Sequence, residues 1–294
     1  MKEQDLLAER FEQNRAHLRA VAYRMLGSLS EADDAIQETW LRLGRSDASS
    51  IDNLGGWLTT VVARVCLDML RSRTSRREES LDTQIAEPPA KDAARPDPEQ
   101  EAVLADSVGL ALLVVLNRLA PAERLAFVLH DMFAVPFEEI ANIVGRSEAA
   151  TRQLASRARR RVQGQGHIPD ADLHQQRDVV ERFLSALRAG DVEGLVAVLD
   201  PEVLVHIDEA AAAPGGAREI RGAATWAKNA IAFSRGARFV RPVLVDGTVG
   251  AVLAPQGRLS RILRFTFTNG RIAEVDIIGD SARLQELELG VVES

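Results

Sequence analysis

The stretch that most constrains this 294-residue chain is FEEIANIVGRSEAATRQLASRARRRV, Phe137 to Val162, which reads as two short helices joined by a tight turn. In the first, Phe137, Ile140, Ala141 and Val144 recur on one helical face, and Gly145 follows where the backbone must turn without a Cβ clash. Ser147 can cap the second helix. There Thr151, Leu154, Ala155, Ala158 and Val162 fall on an inner face, leaving Glu148, Arg152, Gln153, Ser156, Arg157, Arg159 and Arg160 outside. This is the pattern of a helix-turn-helix. Arg and Gln near the start of such a helix pair with base edges in a major groove, while the arginines behind them neutralise phosphates. An ordinary helical hairpin with a solvated basic end is the plainer alternative, so the rest of the chain must decide.

At 294 residues and 46% hydrophobic content the chain can bury real cores and suits two or three domains. Its longest apolar run, Leu110 to Leu116, is far too short to span a bilayer, and the charged N-terminus has no apolar signal segment behind it. The expected location is cytoplasmic, with no membrane partner. One cysteine, Cys66, excludes an internal disulfide. His17, His130, His167, His174 and His206 are scattered without ligand spacing, so neither a metal nor another cofactor is expected. The formal charge of −7 is unusual for a DNA binder, yet residues 115–163 count to +3. Such weak net attraction implies a very local DNA contact or a larger partner that supplies most of the nucleic-acid affinity.

Ahead of the helix-turn-helix, residues 1 to about 43 read as two helices, the first ending near Gly27 and the second capped by Ser30 with Asp33 three residues on. Ile36, Trp40 and Leu43 mark the buried side of the second helix, leaving Asp33, Asp34, Gln37, Glu38 and Arg42 outside. GRSDASSIDN, Gly44 to Asn53, is a polar loop. On the helix that follows, Trp57, Leu58, Val61, Val62, Val65 and Met69 point inward, while Thr60, Arg64, Asp68 and Arg71 line up outside and lead into the basic run RSRTSRR.

AYRMLGSLSEADDAIQETWLRL (Ala22 to Leu43), GGWLTTVVARVCLDMLRSRTSRRE (Gly55 to Glu78) and the helix-turn-helix, in this order and separation, resemble regions two and four of bacterial extracytoplasmic-function sigma factors. DDAIQETW, Asp33 to Trp40, is the most specific piece. The resemblance implies core RNA polymerase and promoter DNA as partners. It makes Asp33, Asp34, Gln37 and Glu38 polymerase-binding and places Asn53, Arg64, Asp68 and Arg71 at the minus-ten element, where a base leaves the stack. Ser147, Arg152, Gln153, Ser156, Arg157 and Arg160 would then read the minus-thirty-five element. Thr151 stands where the family usually has an aliphatic residue, and its hydroxyl can bond back to the preceding turn. Region two is expected over residues 1–80 and region four over 107–163. Between them, residues 81–106 form an acidic, proline-containing linker. From Ala102, helices through Leu119 and then to Phe133 scaffold region four.

A minimal sigma factor of this type would stop near Val162, yet a hinge over 164–173 and a further domain over 174–294 follow. That domain reads as two helices (His174–Ala189, Asp191–Leu199), a strand (Val203–Asp208), a helix (Ala224–Ser234) and four strands, with Asn269-Gly270 as a hairpin turn. RFLSALRAGDVEGLVAVLDPEV, Arg182 to Val203, resembles the SnoaL-like branch of the nuclear-transport-factor-like superfamily, an α+β cone. The expected whole is therefore multidomain: all-α N-terminal and middle domains plus a C-terminal α+β SnoaL-like cone. Sigma factors of the SigJ-like kind carry such an extension, which modulates their activity. His206, Asp208 and Asp276 are the candidate cone-lining residues, and an unidentified small ligand is a partner the cone allows. DEAAAAPGG (208–216) and DSARL (280–284) stand where sigma factors of that kind carry a glycine-rich loop and an NPDKL-type motif. No catalytic residue is expected. The competing readings are a ligand-sensing DNA-binding regulator independent of polymerase, and a SnoaL-like enzyme fused to a DNA-targeting module.

Overall fold

The structure is a computed structural model that describes residues 2–47, 51–83, 109–164, 170–212, 218–234 and 236–292. The chain divides into two compact units, Met1–Val108 with Leu116–Arg159, and Gly109–Val115 with Arg160–Ser294.

In the first unit α1 (Lys2–Leu26), α2 (Leu29–Leu43) and α3 (Leu54–Thr83) pack on one another through Phe11, Leu18, Val21, Met25, Leu29, Ile36, Leu58 and Val62, all nearly or fully inaccessible. The cap of α2 is Ser28, not Ser30: its side chain accepts from the Glu31 amide, and Leu29 is already helical. Both serines suit a cap, but Leu29 is 1% exposed, and starting the helix there brings it into the core. The third helix is longer than expected, because the basic run continues it to Thr83 instead of ending it. Most of the expected linker lies outside the described residues.

The region-four scaffold is more broken than its apolar pattern implies. It comprises α4 (Leu110–Leu116), α5 (Pro121–Phe127) and a π-helical turn over Val128–Met132, followed by α6 (Phe137–Val144) and α7 (Glu148–Gln163). Pro121 sits at the start of α5, where its missing N–H costs nothing. The π turn is a single-turn widening that hydrophobic periodicity does not reveal.

In the second unit α8 (Asp170–Ala189), α9 (Val192–Val198) and α10 (Ala223–Ala230) cover one face of a seven-stranded sheet. Its strands are β1 (Leu199–Ile207), β2 (Glu219–Arg221), β3 (Val240–Val245), β4 (Thr248–Leu253), β5 (Arg261–Thr268), β6 (Arg271–Ile278) and β7 (Leu289–Gly290), in the order β2-β1-β6-β5-β4-β3-β7. Among the described residues only β1 and β6 run parallel. Phe183 meets Phe265 edge-on at 5.5 Å in a core that also holds Val203, Val205, Trp226 and Val275. Asn269-Gly270 makes the expected hairpin turn, both residues having positive φ, and Asp246-Gly247 does the same between β3 and β4. The α+β architecture expected of this domain is the one found. The expected hinge is shorter, since α8 begins at Asp170; residues 165–169 lie outside the described residues.

Candidate polymerase and nucleic-acid interface

On α2 the apolar residues Leu29, Ala32, Ala35, Ile36 and Leu43 are buried, which turns the opposite face outward. Asp33, Asp34 and Gln37 are exposed and Glu38 is half-buried. Asp33 is gripped from α1 by the Arg19 guanidinium, with 3.1 Å from Nε to Oδ1 and 3.2 Å from Nη2 to Oδ2. Glu38 accepts from Arg42 Nε at 2.9 Å, one turn on. Beside these groups runs a groove between α1 and α2, floored by Phe11, Ile36 and Trp40 and rimmed by Arg15, Asp33 and Gln37. Phe11 and Trp40 meet edge-on at 4.9 Å. Leu41 belongs to this surface although helical spacing did not single it out: it is 45% exposed, a full two turns from Asp34 and on the same side as Gln37 and Glu38. An exposed leucine at that helical position was the available signal.

Arg64, Asp68 and Arg71 lie exposed along α3, and Asn53 precedes it, its carboxamide oxygen accepting from the Gly56 amide at 3.0 Å. Part of the Gly44–Asn53 loop, residues 48–50, lies outside the described residues. Arg64 Nη2 reaches the Asn142 carbonyl of α6 at 3.4 Å, so a residue expected at the minus-ten element rests against the helix-turn-helix.

That contact belongs to a wider packing of region two on region four. Arg124 of α5 is 2% exposed, donating from Nε and Nη2 to the Arg24 carbonyl at 3.0 and 2.8 Å and from Nη1 to Asn117 Oδ1 at 2.6 Å. The last carbonyls of a helix have no partner within it and carry partial negative charge, so α1 ends on a cation that both fills and neutralises its terminus. Arg73 adds a 3.4 Å bond to the Leu26 carbonyl and pairs with Glu31. Burial, with the Arg73 charge adding, brings the Arg124 guanidinium down to about 9, which leaves it charged at neutral pH. Burial pushes the nearby Cys66 thiol up to about 12, so it behaves as an inert core residue. Phe133 completes the packing, edge-on to His17 at 5.3 Å and 5.2 Å from the Arg24 guanidinium.

The helix-turn-helix has the geometry its sequence implies. Gly145 takes φ +70, which a Cβ-bearing residue adopts only under strain, and its amide donates to the Ala141 carbonyl. Ser147 Oγ accepts from the Ala150 amide at 3.3 Å, and the Thr151 hydroxyl donates to the Ser147 carbonyl at 3.0 Å, so a buried threonine is satisfied within its own turn. Thr151, Leu154, Ala155, Ala158 and Val162 are buried, while Ser147, Arg152, Gln153, Ser156, Arg157 and Arg160 are exposed. Two of the arginines are already held: Arg152 pairs with Glu148 and lies 5.6 Å from the Phe137 ring, and Arg157 Nε donates to Glu123 at 3.0 Å. Glu123 is 5% exposed, so Arg157 neutralises a buried carboxylate in addition to facing solvent.

The candidate cone-lining residues do not line an interior. Along β1 the neighbours Val205 and Val203 enter the core, which turns His206 to the other face, where it is exposed. Asp276, opposite His206 in the register, pairs with Arg264 Nη2 at 2.7 Å on that same outer face. Asp208 ties a loop: its carboxylate accepts from the Ala211 amide at 2.8 Å and from the Gly279 and Asp280 amides at 2.8 and 2.9 Å. Burial pushes that carboxyl up, but the Asp280, Gly279 and Ala211 amides and the Arg283 charge outweigh it and hold it below 3.8. The strand expected over Val203–Asp208 ends one residue sooner, at Ile207, which leaves Asp208 in the loop it ties. Among the described residues no group of three or more His, Cys, Asp or Glu could hold a metal ion, and no helix is long and apolar enough to cross a membrane.

Two helical modules, one presenting a polar acidic helix and the other a basic helix-turn-helix, define a protein that works at DNA together with a second macromolecule. Residues 10–76 match Sigma-70 region 2, and residues 109–162 match Sigma-70, region 4. The chain is 45% identical over 213 residues to the ECF RNA polymerase sigma factor SigJ of Mycobacterium tuberculosis (strain ATCC 25618 / H37Rv), a match covering 72% of this chain and 68% of that protein. The crystal structure of Mycobacterium tuberculosis extracytoplasmic function sigma factor SigJ is similar at 30% identity and a TM-score of 0.44, over 94% of this chain and 98% of that one. This chain belongs to the extracytoplasmic-function sigma factors of RNA polymerase.

Proposed function

We propose that this sigma factor directs core RNA polymerase to promoters by docking through the outer face of α2 and reading DNA with α3 and α7, under the influence of its own C-terminal domain. What supports the docking assignment is that Asp33, Asp34 and Gln37 stand in solvent beside an apolar groove, with Leu41 as an apolar contact on the same face. Asp34 and Gln37 are the strongest polymerase contacts of the set, because Asp33 and Glu38 already have arginine partners on this chain. Gln153, Ser156 and Arg160 read the minus-thirty-five element with Arg152, while Arg157 divides its charge between DNA and Glu123. Arg64, Asp68 and Arg71 hold the minus-ten strand. The packing of Arg64 against α6 is then a resting arrangement that separates when polymerase takes hold.

The protein works in the cytoplasm and catalyses nothing itself. What supports this over the enzymatic reading is that His206 faces solvent outside the core and Asp276 is paired with Arg264. The deciding experiment is a pull-down of purified core polymerase by wild type, Asp34→Arg and Gln153→Ala. Asp34→Arg should lose at least tenfold in affinity, about 1.4 kcal/mol, with Gln153→Ala unchanged. Equal retention of polymerase by wild type and Asp34→Arg would contradict the docking assignment.

A further inference from the structure

The recognition helix α7 ends in a way that its own sequence does not explain. A helix leaves its last carbonyls without intrahelical partners. Here the Val162 carbonyl, in the final turn, is taken by the amide of Val291 at 2.7 Å, some 130 residues away in the chain. Val291 follows directly on β7, which is an edge strand of the seven-stranded sheet and pairs with β3 through Leu244 and Val245. An exposed edge offers unpaired backbone groups that proteins ordinarily cover. The end of α7 provides that cover, and each element supplies what the other lacks.

Two glycines make the approach possible. Gly164, at φ +79, leaves α7 in the left-handed region, and a Cβ there would lie 3.1 Å from Leu244 Cδ1. A Cβ on Gly290 would lie 2.6 Å from Gly164 Cα and 2.8 Å from its nitrogen. Those are backbone atoms, which cannot swing aside as a side chain can. Leu289 and Gly290 are both buried at the joint.

We propose that Gly164, Gly290 and Val291 are positioning residues for promoter reading: they fasten the last turn of the recognition helix to the edge of the C-terminal sheet, which makes that domain a working part of the DNA reader. The proposal rests on the assignment of α7 to the minus-thirty-five element. It also names the contact through which the C-terminal domain can act on transcription.

The test uses the full chain with core polymerase on two templates, one with the minus-thirty-five element intact and one with it scrambled. Val291→Pro removes the donor, Val291→Ala keeps it, and Gly290→Ala forces the two backbones apart. The ratio of transcript from the two templates should fall about threefold to tenfold in Val291→Pro and Gly290→Ala, and stay within about twofold of wild type in Val291→Ala. Amide hydrogen exchange in the last turn of α7 should accelerate in the first two variants alone, a change that loss of polymerase binding would not produce. A wild-type ratio near one would show that α7 does not read this element, and would sink the assignment beneath the proposal. A wild-type ratio well above one, unchanged in Val291→Pro and Gly290→Ala, would overturn the joint itself. Should Val291→Pro fail to fold, Gly290→Ala decides by the same ratio.

Discussion

Arg157 and Gln153 stand one turn apart on α7 and separate two roles that a basic helix can confuse. Arg157 is tied to Glu123, a carboxylate 5% exposed, so its removal takes a charge-assisted hydrogen bond away from a buried group. Arg157→Ala should therefore cost about 1–3 kcal/mol of stability as well as promoter affinity. Gln153 is exposed. Gln153→Ala should leave the melting temperature unchanged and weaken discrimination at one base pair by about 1–3 kcal/mol. Thermal melts set beside binding to single-base promoter variants check both, and equal melting of the two variants would contradict the structural share assigned to Arg157. The distinction was not legible in sequence, where both residues lay on one outer face. Helical spacing shows which residues are outside, whereas a partner 34 positions away, as Glu123 is from Arg157, follows only from the fold.

Between helices, the packing of region two on region four carries a pH signature. His17 of α1 is exposed at the surface as a whole, yet its ring is partly covered: Nε2 lies 3.1 Å from the Thr59 hydroxyl, and the Phe133 ring stands against it. That partial burial lowers its pKa below 6.5. Below pH 6.5 the unfolded chain takes up a proton that the packed form resists, so His17 costs no stability above that pH and progressively more as pH falls through 6.5 toward its folded value. Melting temperature should drop between about pH 7.5 and about pH 5.5, and His17→Gln should flatten that part of the profile. An identical slope in the variant would remove His17 from the explanation. Helix periodicity made α2 and α7 legible, because each buries one clean face; α3 is covered nearly all round, with Ala63, Cys66, Leu67 and Leu70 buried as well as Leu58 and Val62, which a one-face pattern does not show. The π turn at Val128–Met132 and the short edge strands β2 and β7 were not legible, since so few residues carry no period and their pairing is dictated by distant partners. The Asn269-Gly270 turn was legible because its chemistry is local.

At the scale of the whole molecule, a chain of net charge −7 carries a small basic helix-turn-helix, and the proposed function assigns the missing DNA affinity to polymerase. The sequence pattern carried this organisation well: an acidic-faced helix, a basic helix-turn-helix and an α+β extension each have a distinct periodicity. What it could not carry was how these parts hold one another. The capping of α1 by Arg124 and the joint between Val162 and Val291 are contacts to backbone carbonyls across about 100 or more residues, with no compositional trace. Genome-wide run-off transcription with purified core polymerase, with and without this protein, tests polymerase-dependent promoter reading at its root. A defined set of new start sites should appear only when the protein is added, each preceded by shared minus-ten and minus-thirty-five elements, and should vanish with Asp34→Arg. Transcripts identical to those of core polymerase alone would contradict it.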